Sequence, residues 1–333
     1  MNRPKKSPLT ISKRTAPPAA ASPPAGWRRR RATPARELRI HGRGLHTGRA
    51  ATVRILPVDA QAAGQGIVFR RIEEGRVLAE APVSPDVWRK ELFCSTLQVQ
   101  NDLKVRTVEH LLAALLLCQI DDAIVELDAE EIPFLDGAAT AWVEAIKACG
   151  RTHLPKPKRF IRVLRPFRKI FHGSPESRYV IGPANDYRLV CTVDEAGFPR
   201  SRWTGRLTPA RFAKAIAPAR SYGHLKWVLP ALLAGCLRHI PVLRGARPGT
   251  LIGLVAGHAI GGLRFPNEFA RHRVLDLIGD FALAGAPLLA RVKAVNPTHY
   301  SNVRFIKALL ARPHLWEWAE FPSKAVADPP KLV

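Results

Sequence analysis

Hydrophobic and polar positions change period several times along this chain. "RELRIHGRGLHTGRAATVRILPV" (36–58) alternates and predicts two strands joined by a glycine-rich turn, Gly42–Gly48. "QGIVFRR" predicts another strand, and "CSTLQVQNDLKVRT" a hairpin turning at Asn101 and Asp102. "TVEHLLAAL" then begins a helix that is apolar nearly all round, with Thr107 expected as its N-cap. "AIVEL" (123–127) reads as a buried strand. Residues 136–150 read as a helix stopped by Gly150. A Pro/Lys-rich stretch, "THLPKPK" (152–158), is expected to be a link between domains.

The second half runs through strands at "FIRVLRPFRKIF" and "YRLVCTV" and a helix around "TPARFAKAIAPAR". Residues 225–265 are hydrophobic and glycine-rich, and no single period assigns them. A long helix (267–285), a strand "LLARVKAV" and a helix over 301–312 follow. Each half therefore ends in helix, strand, helix. This order predicts two similar α+β layers packed together with a cleft between them, where chemistry is commonly placed. The expected divisions are a basic arm over 1–36, a first domain over 37–151, a second over 158–315 and a tail over 316–333.

Composition sharpens this picture. The 333 residues are 47% hydrophobic, enough for one large or two medium cores. No run of about 18 apolar residues is present, so no transmembrane helix is expected. Five scattered cysteines without a CxxC pair point to a reducing compartment, and the cytoplasm is the expected location. The net charge is +25, and ten Lys/Arg lie in residues 1–36, before the first acid, Glu37. That proline- and alanine-rich segment has no apolar signal region and reads as a disordered basic arm. The body without it still carries about +15, which favours anionic partners: a phosphorylated small molecule, an anionic membrane surface or nucleic acid. Helix-turn-helix, zinc-finger and RNP-like signatures are lacking and aromatics are few, so nucleic acid is the least favoured.

Candidate chemistry concentrates in "RHRVLDLIGD". His272 and Asp276 are four apart, about 40° around a helix, and Asp280 continues the stripe. An imidazole and a carboxylate so placed can share one divalent cation. Ordinary helical ion pairs show the same spacing, but here the neighbours Val274, Leu275, Leu277 and Ile278 are apolar. A catalytic zinc needs a third protein ligand, for which His110 is the best candidate, with Glu109 beside it as general base. Taken alone, Glu109 and His110 also fit helix-end electrostatics. His299, in "NPTHYSN", can be oriented by Asp280 and held cationic, and Ser221, in "ARSYGHL", can donate to an oxyanion. The turn carrying Leu45, His46 and Thr47 has three glycines, which allow close approach to a ligand.

"GRGLHTG", "KVRTVEHLLAAL", "DDAIVELDAEEIPFLDGAA", "RFIRVLRP", "ARSYG", "GLRFPNEFARHRVLDLIGDFALAG" and "THYSN" occur in that order. From about Arg36 to Ala311 the chain resembles the UDP-3-O-acyl-N-acetylglucosamine deacetylases of lipid A biosynthesis. The resemblance implies two α+β domains in an α/β sandwich, helices between two sheets, with the active site at the interface. It implies a cytoplasmic, monomeric amidohydrolase that uses Zn²⁺, with Fe²⁺ as the alternative ion, to release acetate from a UDP-linked acylated glucosamine. His110, His272 and Asp276 would bind the metal, and Glu109 would be the base. His299, held by Asp280, would stabilise the oxyanion and protonate the leaving amine. Leu45, His46, Thr47, Tyr222 and Arg273 would contact substrate.

The chain also departs from that pattern. Ser221 stands for a threonine, Tyr222 for a phenylalanine and Arg273 for a lysine, a change that alters hydrogen-bond geometry. "EAGFPRSRW" replaces a His-Pro stretch. The segment 235–262, which in the family lines the acyl passage, is unlike the usual one, and Asn-Pro-Thr precedes His299 in place of small residues. These departures leave room for a paralogue acting on another N-acyl nucleotide sugar, or for a basic binder of nucleic acid or membrane that has kept the fold.

Overall fold

The structure is a computed structural model that describes residues 22–100, 103–237 and 241–321. The expected turn at Asn101 and Asp102, most of the basic arm and the end of the tail lie outside the described residues. Six α-helices are described: α1 (Glu109–Leu117), α2 (Thr140–Cys149), α3 (Pro209–Ala215), α4 (Leu225–Leu237), α5 (Glu268–Ala282) and α6 (His299–Leu310).

Two large sheets frame these helices in an α+β sandwich. The first has five strands in the order Leu38–Arg43, Ala50–Leu56, Ala123–Leu127, Ile67–Glu73 and Arg76–Pro82. In the second, Leu288–Val295 runs between Ser177–Pro183 and Tyr187–Val193 and also meets Arg159–Val163. The outer strands there are Phe167–Phe171, Ser201–Arg206 and Trp316–Glu320. On the inner side, α2 lies against Leu38–Arg43, α5 against Tyr187–Val193 and Ser201–Arg206, and α6 against Phe167–Phe171. Between these layers α1 packs on α5 and α2. Every α1 residue except Leu116 is buried, which explains why its sequence is apolar all round.

The α1–α5 crossing depends on Gly279. A Cβ there would stand 2.0 Å from the Glu109 carbonyl oxygen, so only glycine lets the two backbones meet. This contact brings the polar start of α1 onto the His272–Asp276–Asp280 stripe of α5.

Several expectations are corrected. Thr107 is not the N-cap of α1: Val108 holds that position without a side-chain cap. Thr107 instead has φ +62°, unusual for a β-branched residue, and its hydroxyl donates to Glu131 Oε1 at 2.9 Å. The stretch read as a link is a strand, Arg151–Pro157, paired antiparallel with Arg30–Pro34 from the expected arm. Its prolines are tolerated because the two strands form a separate ribbon, where few ladder donors are needed. The start of the expected tail, Trp316–Glu320, pairs with Arg159–Val163. The unassigned 225–265 region resolves into α4 and a small sheet of Tyr222–His224, Ile252–Val255 and His258–Ala259. His299 lies at the start of α6, two residues before the expected helix start, behind a Thr298–Ser301 capping box.

Candidate metal centre and active site

Three buried groups converge where α1 crosses α5. His110 Nε2 and His272 Nε2 lie 3.5 and 3.4 Å from Asp276 Oδ1, and the three candidate ligand atoms are all within 4.8 Å of one another. The imidazole rings stand edge to face, 5.3 Å apart. His272 Nδ1 is engaged by the Ala219 carbonyl at 3.2 Å, which fixes the tautomer that leaves Nε2 with a free lone pair. Asp276 Oδ1 is buried and accepts no hydrogen bond. An orphaned carboxylate oxygen between two imidazole nitrogens is costly without a cation, and a His₂Asp donor set suits one. Burial pushes Asp276 up, but the neighbouring His272 and His110 imidazoles together with the His299 and Arg273 cations outweigh it and hold the carboxyl far below the usual range. Burial lowers His272 to about 4, so it is neutral, as a ligand must be.

Beside this cluster lies an acid–base pair. Glu109 Oε2 accepts from the Ser95 N–H at 3.0 Å, and its Oε1 lies 3.8 Å from His299 Nε2. Burial raises the Glu109 carboxyl to about 7 against the pull of His299 and His110. His299 Nδ1 is 3.0 Å from Asp280 Oδ2. Burial alone would lower His299, but Asp280, Glu109 and Asp276 together raise it to about 10. Asp280 is itself held: Asn302 Nδ2 donates to Oδ2 at 2.7 Å and the Ser95 hydroxyl donates to Oδ1.

These residues open into a cavity of about 780 Å³ whose wall also includes Leu45, His46, Ser221, Tyr222 and Arg273. Arg273 Nε donates to Tyr222 Oη at 3.1 Å, and its Nη1 to Asp276 Oδ2 at 3.2 Å. Ser221 is set by its backbone, whose N–H donates to the Gly137 carbonyl at 2.8 Å. The loop of Leu45, His46 and Thr47 is organised by Glu131. That carboxylate accepts from His46 N (2.9 Å), Thr47 N (2.7 Å) and Thr47 Oγ1 (2.8 Å). A Cβ at Gly44 would stand 2.2 Å from Glu131 Oε2 and would push that carboxylate off the His46 and Thr47 N–H groups. Thr47 is not among the residues that line the cavity; its hydroxyl is spent on Glu131.

Sequence reasoning missed Glu131, Ser95, Asn302 and the pair His224–Glu195, whose Nε2 and Oε1 are 2.7 Å apart in the cavity wall. Asn302 lay in view, in "THYSN", three residues beyond His299. Ser95 and Glu195 carry no local signal, because their partners are 185 and 29 residues away.

A buried His₂Asp cluster with a carboxylate and a cationic histidine beside it, set between two α+β layers, fits metal-assisted hydrolysis. Residues 31–311 match the UDP-3-O-acyl N-acetylglycosamine deacetylase family, and the chain belongs to it. The chain is similar to the UDP-3-O-acyl-N-acetylglucosamine deacetylase of Xylella fastidiosa, at 32% identity over 88% of this chain and 94% of the relative. Those of Geotalea uraniireducens (34%, 85% and 89%) and Vibrio cholerae (33%, 85% and 91%) bear the same name. Among the described residues no helix is long and apolar enough to cross a membrane.

Proposed function

We propose that the protein removes the N-acetyl group from a UDP-linked, 3-O-acylated N-acetylglucosamine, releasing acetate in the synthesis of lipid A. The observation that carries this reading is the orphaned, buried Asp276 Oδ1 between His110 and His272, with Glu109 and His299 facing the same space. The three ligands would hold Zn²⁺; the same donors also accept Fe²⁺. The ion would lower the pKa of water and polarise the acetyl carbonyl.

The chain's own groups account for the proton movements. Glu109 keeps Oε2 on the Ser95 N–H and has Oε1 free to take a proton from the attacking water. His299 directs Nδ1 at Asp280, which leaves the Nε2 proton for the leaving amine as the C–N bond breaks. The Ser221 hydroxyl donates to the oxygen on which charge develops. Arg273, between Tyr222 and Asp276, presents a cation to the substrate side of the cavity.

Support for an acyl-bearing substrate comes from the apolar wall of Leu45, Phe134, Val228, Ala231, Leu243 and Leu251 next to the cluster. A second reading, a paralogue acting on another N-acyl nucleotide sugar, is favoured by the polar pair His224–Glu195 in the same wall. Metal content and acetate release measured on one preparation test the first reading. The expected result is one bound ion and turnover, both lost in His272→Ala. An unmodified protein with neither metal nor acetate release would overturn it, and turnover independent of the 3-O-acyl group would select the second reading.

A further inference from the structure

The mouth of the cavity is built from residues that both line it and face solvent: Phe93, Trp227, Pro230 and Tyr300. Trp227 is 62% exposed and Phe93 58%, large values for side chains of this size in a folded protein. Phe93 is presented from a backbone with φ +66°, a strained conformation for a bulky residue, and Leu92 beside it is also exposed.

α4 extends the same surface. Lys226, Pro230, Leu233 and Leu237 are spaced four, three and four apart and form one stripe on its solvent side. Leu233 is 64% exposed and Leu237 82%. The opposite side of α4, with Val228, Ala231 and Leu232, packs over the small cluster of Leu45, Phe134, Val242 and Leu243 beside the active site. The outer stripe has no such partner among the described residues.

Cations accompany these aromatics. Lys226 Nζ lies 5.6 Å from the Trp227 ring, and Lys90 and Arg304 lie 4.8 and 5.3 Å from the Tyr300 ring. Two carboxylates of the cavity wall, Glu91 and Glu195, are already paired with Lys104, Arg106 and His224. The rim is thus apolar and aromatic with excess positive charge. A partner that fits it must offer apolar depth behind a negative surface. An anionic bilayer supplies both, and Trp, Tyr and Lys are the side chains suited to its interface.

We propose that this rim docks the protein on an anionic lipid bilayer. The α4 stripe and the Leu92–Phe93 tip enter the interfacial layer, and the cavity mouth faces the lipid. The contact itself stands on the rim alone. Its use, passing an acyl chain between bilayer and cavity, rests on the acylated substrate proposed above.

The test is flotation of the full chain with vesicles of phosphatidylglycerol and phosphatidylethanolamine, against vesicles of phosphatidylcholine, at about physiological ionic strength. The variant is Leu233→Gln with Leu237→Gln, two exposed positions outside the cavity. The expected result is partitioning to the anionic vesicles alone, weakened at least about tenfold in the variant. Acetate release from a freely soluble short-chain substrate should be unchanged by the same substitutions. Three results would overturn the proposal: no flotation with the anionic vesicles, equal flotation with both compositions, or flotation that the variant leaves intact, which would place binding on other cations. A concentration-dependent dimer dissociated by the variant, without vesicle binding, would also overturn it and make the stripe a face between copies. No substrate enters the vesicle measurement, so failure here is separable from failure of the deacetylase reading.

Discussion

α1 and α4 are both apolar on nearly every side, yet they meet opposite environments. α1 lies between two sheets, with α2 and α5 against it, and its single half-buried residue is Leu116. α4 has a core on one side and solvent on the other, where Leu233 and Leu237 stand exposed. An apolar helix is therefore explained only by what surrounds it. Layers on all sides answer the composition of α1, whereas for α4 the structure answers half. Their polar ends differ as well. Glu109 and His110 begin α1 where it crosses α5, and so join the buried cluster of His272, Asp276 and His299. His224 precedes α4 and meets one carboxylate, Glu195, in the cavity wall.

The largest expected effect belongs to the polar start of α1. Glu109→Gln keeps an acceptor for the Ser95 N–H but removes the base, so kcat for acetate release should fall about 10²–10⁴-fold. Denaturant stability should hold, and a loss of stability equal to the loss of rate would show that the carboxylate serves packing. The next effect separates the two helices directly. Leu111, wholly buried in α1, should cost about 2–5 kcal/mol when changed to alanine, because a cavity is left between sheets. Leu237→Ala in α4 should change stability by less than about 0.5 kcal/mol, since the side chain is 82% exposed. Urea midpoints for the pair measure this. Similar costs at both positions would mean that α4 is covered in solution.

The same contrast marks how far the sequence could be read. Alternation at 2 residues places most strands, whereas α1 and α5, buried at nearly every position, read as helices from their polar starts and their length. Spacing brings His272, Asp276 and Asp280 onto one stripe, the need for a third ligand points to His110 with Glu109 beside it, and the resemblance implies the same set. α4 escaped assignment because its apolar run carries Pro230 and Gly235, which read as helix breakers. The strand Arg151–Pro157 escaped because its Pro/Lys composition looks like a linker, and its pairing partner, Arg30–Pro34, lies over a hundred residues earlier in a segment that reads as an arm. Glu131 escaped for a similar reason. Its partners are backbone donors at His46 and Thr47, and a backbone N–H leaves no trace in residue identity. Thr107, expected to cap α1, instead spends its hydroxyl on that same carboxylate, so one long-range group displaced a local rule.

Gly279→Ala should cost less than Leu111→Ala and is the most direct measure of what holds α1 in place. In Gly279→Ala the new Cβ would stand 2.0 Å from the Glu109 carbonyl oxygen, closer than any real contact, and that atom is backbone and cannot rotate away. The helices must therefore part, at a cost of about 1–3 kcal/mol. Glu109 and His110 ride on α1, while His272, Asp276 and Asp280 ride on α5, so parting the helices opens the ligand set and lengthens the reach from Glu109 to His299. Metal occupancy and kcat should fall with stability in this variant, whereas in Glu109→Gln only kcat falls. Gly223, beside the cavity and just before α4, has nothing within 4 Å of the place a Cβ would take, and Gly223→Ala should leave the urea midpoint within about 0.5 kcal/mol of the unmodified protein. Retained metal and full stability in Gly279→Ala would show that the α1–α5 contact is looser than the structure has it, and would remove the physical reason for placing base and ligands on two different helices.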